Sequence, residues 1–195
     1  RELSNLGVPR GEALRAAPES EADVLIQELE DFTPPERRAE ARALARETYA
    51  AWRAAGALAA VRVNPLEGDG RDDLAAAMAG APDIVLLPKV AHPDQIVALA
   101  REVAEAERLN GLPKGSTELV PNVESAAGLR HTYEIARADP RVTACLVASE
   151  DMAADLGAER GPDGAELAYV RARFHAECVA AGVVSIDCPY TWSDA

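Results

Sequence analysis

The chain has few aromatic residues, few lysines, few cysteines and no long apolar run. Phe, Trp and Tyr make up 4 % of its 195 residues, so the core must be built from Ala, Val, Leu and Ile. Lys89 and Lys114 are its only lysines, and its formal net charge is -13 at pH 7. Nucleic-acid phosphates and anionic lipids need clustered cations that displace counterions, so this balance argues against both as partners. Cys145, Cys178 and Cys188 are far apart, odd in number and form no Cys-x-x-Cys pair. Neither a zinc site nor a disulfide framework is indicated, and a reducing cytoplasm is the expected compartment. No apolar stretch approaches the roughly 20 residues of a membrane span, and Arg1-Glu2-Leu3-Ser4 does not read as a signal peptide. Gly68-Asp69-Gly70 lacks the third glycine of a dinucleotide turn, and no Gly-x-x-x-x-Gly-Lys stretch exists. No His stands near a Cys or Ser at motif spacing, so a nucleophilic triad has no support.

What is present is an alternation. Hydrophobic residues are 48 % and charged residues 27 %, which suits a folded globular chain. Short apolar runs occur at Val24–Leu29, Ala59–Val63, Asp83–Leu87, Glu118–Val123, Val142–Val147 and Val183–Ile186. They are apolar throughout, as strands buried on both faces of a parallel sheet are. A weaker run at Leu6–Val8 is read as the remains of a first strand. Between the runs lie helical stripes: Ala41, Leu44, Ala45, Thr48 and Trp52; Ile96, Leu99, Ala100 and Val103; Leu129, Thr132, Tyr133 and Ala136; Leu167, Val170, Phe174, Cys178 and Ala181. Prolines near their starts and glycines past their ends are the expected punctuation. Strand and helix repeat about every 30 residues, the βαβ rhythm. With no linker or composition break, one domain over residues 1–195 is expected. With no glycine-rich turn, a (β/α) barrel is preferred to a doubly wound fold.

Charge collects where the strands end. The runs deliver Glu30-Asp31, Arg62, Lys89, Glu124, Glu150-Asp151 and Asp187 at their C-terminal ends. In a parallel barrel those ends share one rim, where active sites of that fold lie. Carboxylates crowded there raise one another's pKa or recruit a cation. Mg²⁺ takes oxygen ligands, often one or two carboxylates plus water and substrate. Arg62 offers a fixed fork for a substrate carboxylate. These parts suit making or breaking a carbon–carbon bond beside a carbonyl. Taken singly, each charged residue reads more readily as a solvated strand flank, and it is the coincidence across six strand ends that points to a site. His92 reads as a helix-start residue, His131 and His175 as surface or packing residues, Cys145 and Cys178 as small core residues, and Gly111–Gly115 as a surface loop.

The same residues carry a family resemblance. Leu29-Glu30-Asp31, Val61-Arg62-Val63-Asn64-Pro65 and Leu87-Pro88-Lys89-Val90 resemble successive strand-end motifs of the HpcH/HpaI aldolase and citrate lyase beta-subunit family. Val123-Glu124-Ser125-Ala126-Ala127-Gly128 is similar to its metal-binding motif Ile-Glu-Thr-Ala-x-Gly. Ser149-Glu150-Asp151-Met152 with Ala154-Asp155-Leu156-Gly157 resembles its Gly-x-Glu-Asp-Leu motif, and Ile186-Asp187-Cys188-Pro189-Tyr190 resembles the segment after its seventh strand. Gln27-Glu28 stands where Leu-Asp is more usual, which adds a carboxylate near the second strand.

The resemblance implies a TIM-type (β/α)8 barrel whose eighth strand and lid lie outside this chain, so that the barrel is expected to be incomplete at the C-terminus. It implies Mg²⁺ held by Glu124 and Asp151. Arg62 would hold an oxo acid and stabilise enolate charge, and Glu30 and Asp31 would order the metal's waters. Arg10 would lie near the CoA phosphates, and Lys89 joins Arg62 and Arg10 as a substrate-binding cation. The implied activity is lysis of a 3-hydroxyacyl-CoA of the malyl, citramalyl or citryl type into an acyl-CoA and an oxo acid, in a trimer or hexamer. An aldolase on free hydroxy-oxo acids, a thioesterase on the same CoA esters and a non-catalytic metabolite-binding scaffold are the alternatives.

Overall fold

A computed structural model describes residues 3–6 and 11–188 of the chain. The chain divides into two compact units, one running through Leu87 with Leu99–Glu118 added, the other comprising Pro88–Ala98 and the residues from Leu119 on. Among the described residues no helix is long and apolar enough to cross a membrane.

The first unit contains β1 (Leu3–Leu6), α1 (Gly11–Ala16), β2 (Val24–Glu28), α2 (Arg38–Ala43), α3 (Ala45–Ala54), β3 (Leu58–Arg62), α4 (Gly70–Met78), β4 (Ile84–Leu87) and, from Leu99, α5 (Pro93–Asn110). Its strands pair in chain order and in parallel, with Leu3 beside Val24, Val24 beside Leu58 and Ala60 beside Ile84. Every residue of β2 is buried, the apolar Val24, Leu25 and Ile26 as their run predicts and the polar Gln27 and Glu28 with them. The first strand shares Leu6 with the Leu6–Val8 run, whose Gly7 and Val8 lie outside the described residues. Its ladder passes through Ser4 and Asn5, two polar residues that hydropathy does not select.

The expected single helix over Ala41–Trp52 is two. Leu44 separates α2 from α3, its amide turning back to Ala41 O at 3.2 Å. Two of the scarce aromatics lie on α3, where Tyr49 and Trp52 are fully buried with ring centroids 5.8 Å apart. Their polar ends are satisfied, which buried polar groups require. Tyr49 Oη donates to Gln27 Oε1 at 2.5 Å, Gln27 Nε2 donates to Ala41 O at 2.7 Å, and Trp52 Nε1 donates to Leu14 O at 2.8 Å. The loop after α5 is more than a surface loop, because the buried Glu107 carboxylate accepts from the Gly115 and Thr117 amides at 2.9 and 3.0 Å.

The second unit holds β5 (Glu118–Val123) from Leu119, α6 (Ala126–Arg130), α7 (Thr132–Ala136), β6 (Ala144–Val147), α8 (Ser149–Leu156), α9 (Ala168–Ala181) and β7 (Val184–Ile186). These strands are also parallel and in chain order. The expected stripe of Leu167, Val170, Phe174, Cys178 and Ala181 is buried, and Gly182 closes α9 at φ +77°. The stripe through Leu129 and Ala136 breaks at His131. The Thr132 hydroxyl donates back to the Gly128 and Leu129 carbonyls, and Ile135 rather than the exposed Tyr133 faces inward. β7 differs from the fully buried strand expected at Val183–Ile186. Among the described residues it pairs with β6 alone, and Val184 is 63 % exposed. His92 does stand at a helix start, and its carbonyl accepts the Gln95 amide at 3.2 Å.

Candidate functional site

The C-terminal ends of β2 and β3 bring three charged side chains together inside the first unit. Strand register sets Glu28 beside Arg62, and the Leu29 amide donates to Arg62 O at 3.0 Å. Arg62 Nε donates to Glu28 Oε2 at 2.5 Å. Arg62 Nη2 stands 3.6 Å from Glu30 Oε2, an ion-pair separation too long for a hydrogen bond. All three are buried. Glu28 Oε1 accepts from the Glu30 amide at 2.7 Å, and Glu28 O accepts from the Thr33 hydroxyl at 2.6 Å. Burial pushes the Glu28 carboxyl above the usual carboxylate range, against the lowering pull of the Arg62 charge. The Phe32 ring covers Arg62, with Cζ 5.7 Å from its centroid.

Arg62 and Glu30 were both expected here. Glu28 has no assigned role in the sequence reading, although the signal for it is present as a further carboxylate two residues before Glu30. Asp31, the next residue, is exposed.

The Asn64-Pro65 motif holds the same strand ends from behind. The Asn64 amide and Nδ2 donate to Asp73 Oδ2 at 2.8 and 2.7 Å, and Nδ2 also reaches Leu29 O at 2.6 Å. Asp73 is fully buried, and its other oxygen accepts from Arg42 Nε at 2.7 Å. Gly70 opens α4 against this turn. A Cβ there would lie 2.1 Å from Asn64 O, so no larger residue fits without moving backbone.

In the second unit Glu124 is buried at the end of β5, and Asp151 is half-buried in the first turn of α8. Val123 and Val147 are register partners, and the Ala148 amide donates to Val123 O at 3.1 Å. That bond ties the residue before Glu124 to the approach of α8, so both acids issue from the same ends of neighbouring strands. Ser125 caps α6, its Oγ accepting from the Gly128 amide at 3.1 Å. Asp155 of α8 accepts from the Ala126 amide at 2.8 Å. Gly128 is set by close approach, since a Cβ there would lie 2.4 Å from Val90 O. Gly157 ends α8 at φ +62°.

Both acids are oxygen donors, the type a hard divalent cation takes. Among the described residues no group of three His, Cys, Asp or Glu forms a metal cage. Two carboxylates fit an ion that keeps several waters, as Mg²⁺ does. Lys89 follows β4, is exposed and has left-handed backbone at φ +55°. Asp187 is paired with Arg171. Burial raises its carboxyl, but hydrogen bonds from Arg171 and the Cys188 amide outweigh that and hold it below the usual range. Cys145 and Cys178 are buried free thiols, as expected of core residues. Arg10 lies outside the described residues.

The chain is similar to the citrate lyase subunit beta of Escherichia coli K12, 33 % identical over 132 residues covering 67 % of this chain and 44 % of the relative. It is similar to the (3S)-malyl-CoA thioesterase of Cereibacter sphaeroides ATCC 17029, 32 % identical over 178 residues covering 88 % of this chain and 58 % of the relative. Thus the chain spans about half the length of the curated relatives it matches. Among solved structures RipC from Yersinia pestis covers 100 % of this chain, with 78 % of its own length matched, a TM-score of 0.77 and 27 % identity. The parallel β/α architecture is that of the TIM-barrel class. Residues 9–194 match the family model described as HpcH/HpaI aldolase/citrate lyase, and the chain belongs to that family.

Proposed function

We propose that the protein is a Mg²⁺-dependent carbon–carbon lyase that cleaves a 3-hydroxyacyl-CoA of the malyl, citramalyl or citryl type. The observation that carries this reading is Arg62, a buried guanidinium anchored at a strand end in a chain of the aldolase/citrate lyase family. The bond that breaks joins the hydroxyl-bearing carbon to the carbon next to the thioester. The hydroxyl loses its proton and becomes the oxo group. The electron pair passes to the thioester as an enolate, which takes a proton at carbon to give the acyl-CoA. Arg62 pairs with the carboxylate beside the new oxo group and orients it. Glu30 stands against the same guanidinium and orders water, with Asp31 beside it on the exposed side. Glu124 and Asp151 are the residues that would hold Mg²⁺, which when bound supplies a Lewis acid for the oxo-acid oxygens. Lys89 and Arg10 contribute positive charge for the CoA ester. A trimer or hexamer in the cytoplasm completes the reading.

A second reading, hydrolysis of the same thioester, is favoured by similarity to the relative named malyl-CoA thioesterase. Product analysis separates the two. A lyase yields acyl-CoA and oxo acid, whereas a thioesterase yields free CoA thiol and the intact hydroxy acid. The purified protein is expected to form acyl-CoA in Mg²⁺ and to stop in EDTA. Glu124→Ala and Asp151→Ala are each expected to lose at least ~100-fold in kcat/KM, the equivalent of about 3 kcal/mol of charge stabilisation. Full activity in both variants would overturn the metal assignment.

A further inference from the structure

We propose that Glu28 is a positioning residue for Arg62, fixing the guanidinium in the orientation that receives the carboxylate of a 2-oxo acid. This rests on the lyase reading. A guanidinium carries five donors in one plane, so its aim is set by whichever donor is tied down. Here Nε, the donor nearest the side-chain stem, is tied at 2.5 Å to Glu28 Oε2. The Nη donors lie beyond it, and Nη2 stands at ion-pair distance from Glu30.

The anchor is itself immobile. Glu28 Oε1 is engaged by the Glu30 amide, its carbonyl by the Thr33 hydroxyl, and its backbone lies in register with Arg62 on the paired strand. One buried carboxylate therefore joins the Arg62 side chain to the Glu30 backbone, and it bonds both through separate oxygens. Glutamine cannot reproduce this, because it has one acceptor oxygen where two are used. Aspartate, the more usual residue of the family at this position, keeps both oxygens and is the conservative variant.

The test compares wild-type protein, Glu28→Gln and Glu28→Asp. Binding of pyruvate, glyoxylate and oxaloacetate is measured by calorimetry, and the KM values for acyl-CoA and oxo acid are measured separately in the condensation direction. Misplacing a binding group by an ångström costs up to ~100-fold. The expected result is at least a tenfold loss of oxo-acid affinity in Glu28→Gln and affinity near that of wild type in Glu28→Asp, with the acyl-CoA KM within twofold of wild type and the melting curve still cooperative. Should Glu28→Gln fail to fold, Glu28→Ala carries the same comparison. Unchanged oxo-acid affinity in folded Glu28→Gln or Glu28→Ala overturns the proposal. So does an equal rise in both KM values, which marks a merely structural role. The lyase reading fails separately, through wild-type protein that releases no acyl-CoA. In that case oxo-acid calorimetry still decides whether Glu28 orients Arg62, and wild-type protein that binds no oxo acid refutes the positioning role as well.

Discussion

In the first unit Glu28, Glu30 and Arg62 are held by one another's side chains, whereas in the second unit Glu124 and Asp151 sit on backbone that other residues fix. Each arm of the first arrangement is a side-chain bond at a buried strand end, from Nε to Oε2 and from the Glu30 amide to Oε1. The second arrangement is built from a helix cap at Ser125, an amide captured by Asp155 and a glycine at which an added Cβ would lie 2.4 Å from Val90 O. The difference predicts where each region is fragile. The first should fail when any one of its charges is removed. The second should fail at small residues that touch no substrate.

Removing Arg62 tests the first half of that comparison and has the largest expected effect. Arg62→Ala leaves Glu28 and Glu30 buried without their guanidinium. Breaking a buried pair from one side costs about 3–5 kcal/mol, so chemical denaturation should show a loss of that size. A loss under about 1 kcal/mol would mean that the cluster relaxes into solvent and that side chains do not hold it. Gly128→Ala tests the second half. Its added methyl must push Val90 backbone aside, and overpacking of this kind costs about 1–3 kcal/mol. Mg²⁺ affinity, followed by calorimetry, should weaken with it, since α6 begins directly after Glu124. Unchanged Mg²⁺ binding would separate the glycine from the acids.

The smallest effect is a pH dependence confined to the first unit. The Glu28 carboxyl is raised in the folded protein, so the fold binds its proton more tightly than the unfolded chain does. Its contribution is then fully present below the ordinary carboxylate value and is lost as pH rises through the raised value. Glu28→Gln should flatten that part of the stability-versus-pH curve. An unaltered slope would place the titration elsewhere.

Local pattern made much of this legible. Mainly apolar runs located β2 to β6, because strands buried on both faces are recognised from their own composition. The stripe closed by Gly182 marked α9, and the strand-end charges located Arg62, Glu30, Glu124 and Asp151. What escaped depends on distant partners. β1 runs through Ser4 and Asn5, and only its register with Leu25 and Ile26 defines it. Glu28 looked like a surplus carboxylate because Arg62, its partner, lies 34 positions away. Asn64 and Asp73 look polar in sequence, yet both are buried and bonded to each other. Tyr133 fits a helical stripe that a Thr132 back-bond interrupts.

The central claim is that these strand-end residues serve a Mg²⁺-dependent carbon–carbon cleavage. Its most direct test is chromatographic quantification of acyl-CoA released from malyl-, citramalyl- and citryl-CoA, with Mg²⁺ and with EDTA. The account predicts stoichiometric acyl-CoA and oxo acid from at least one of the three in Mg²⁺, abolished by EDTA and by Arg62→Ala. Free CoA thiol as the sole product, or release that EDTA leaves untouched, would contradict it.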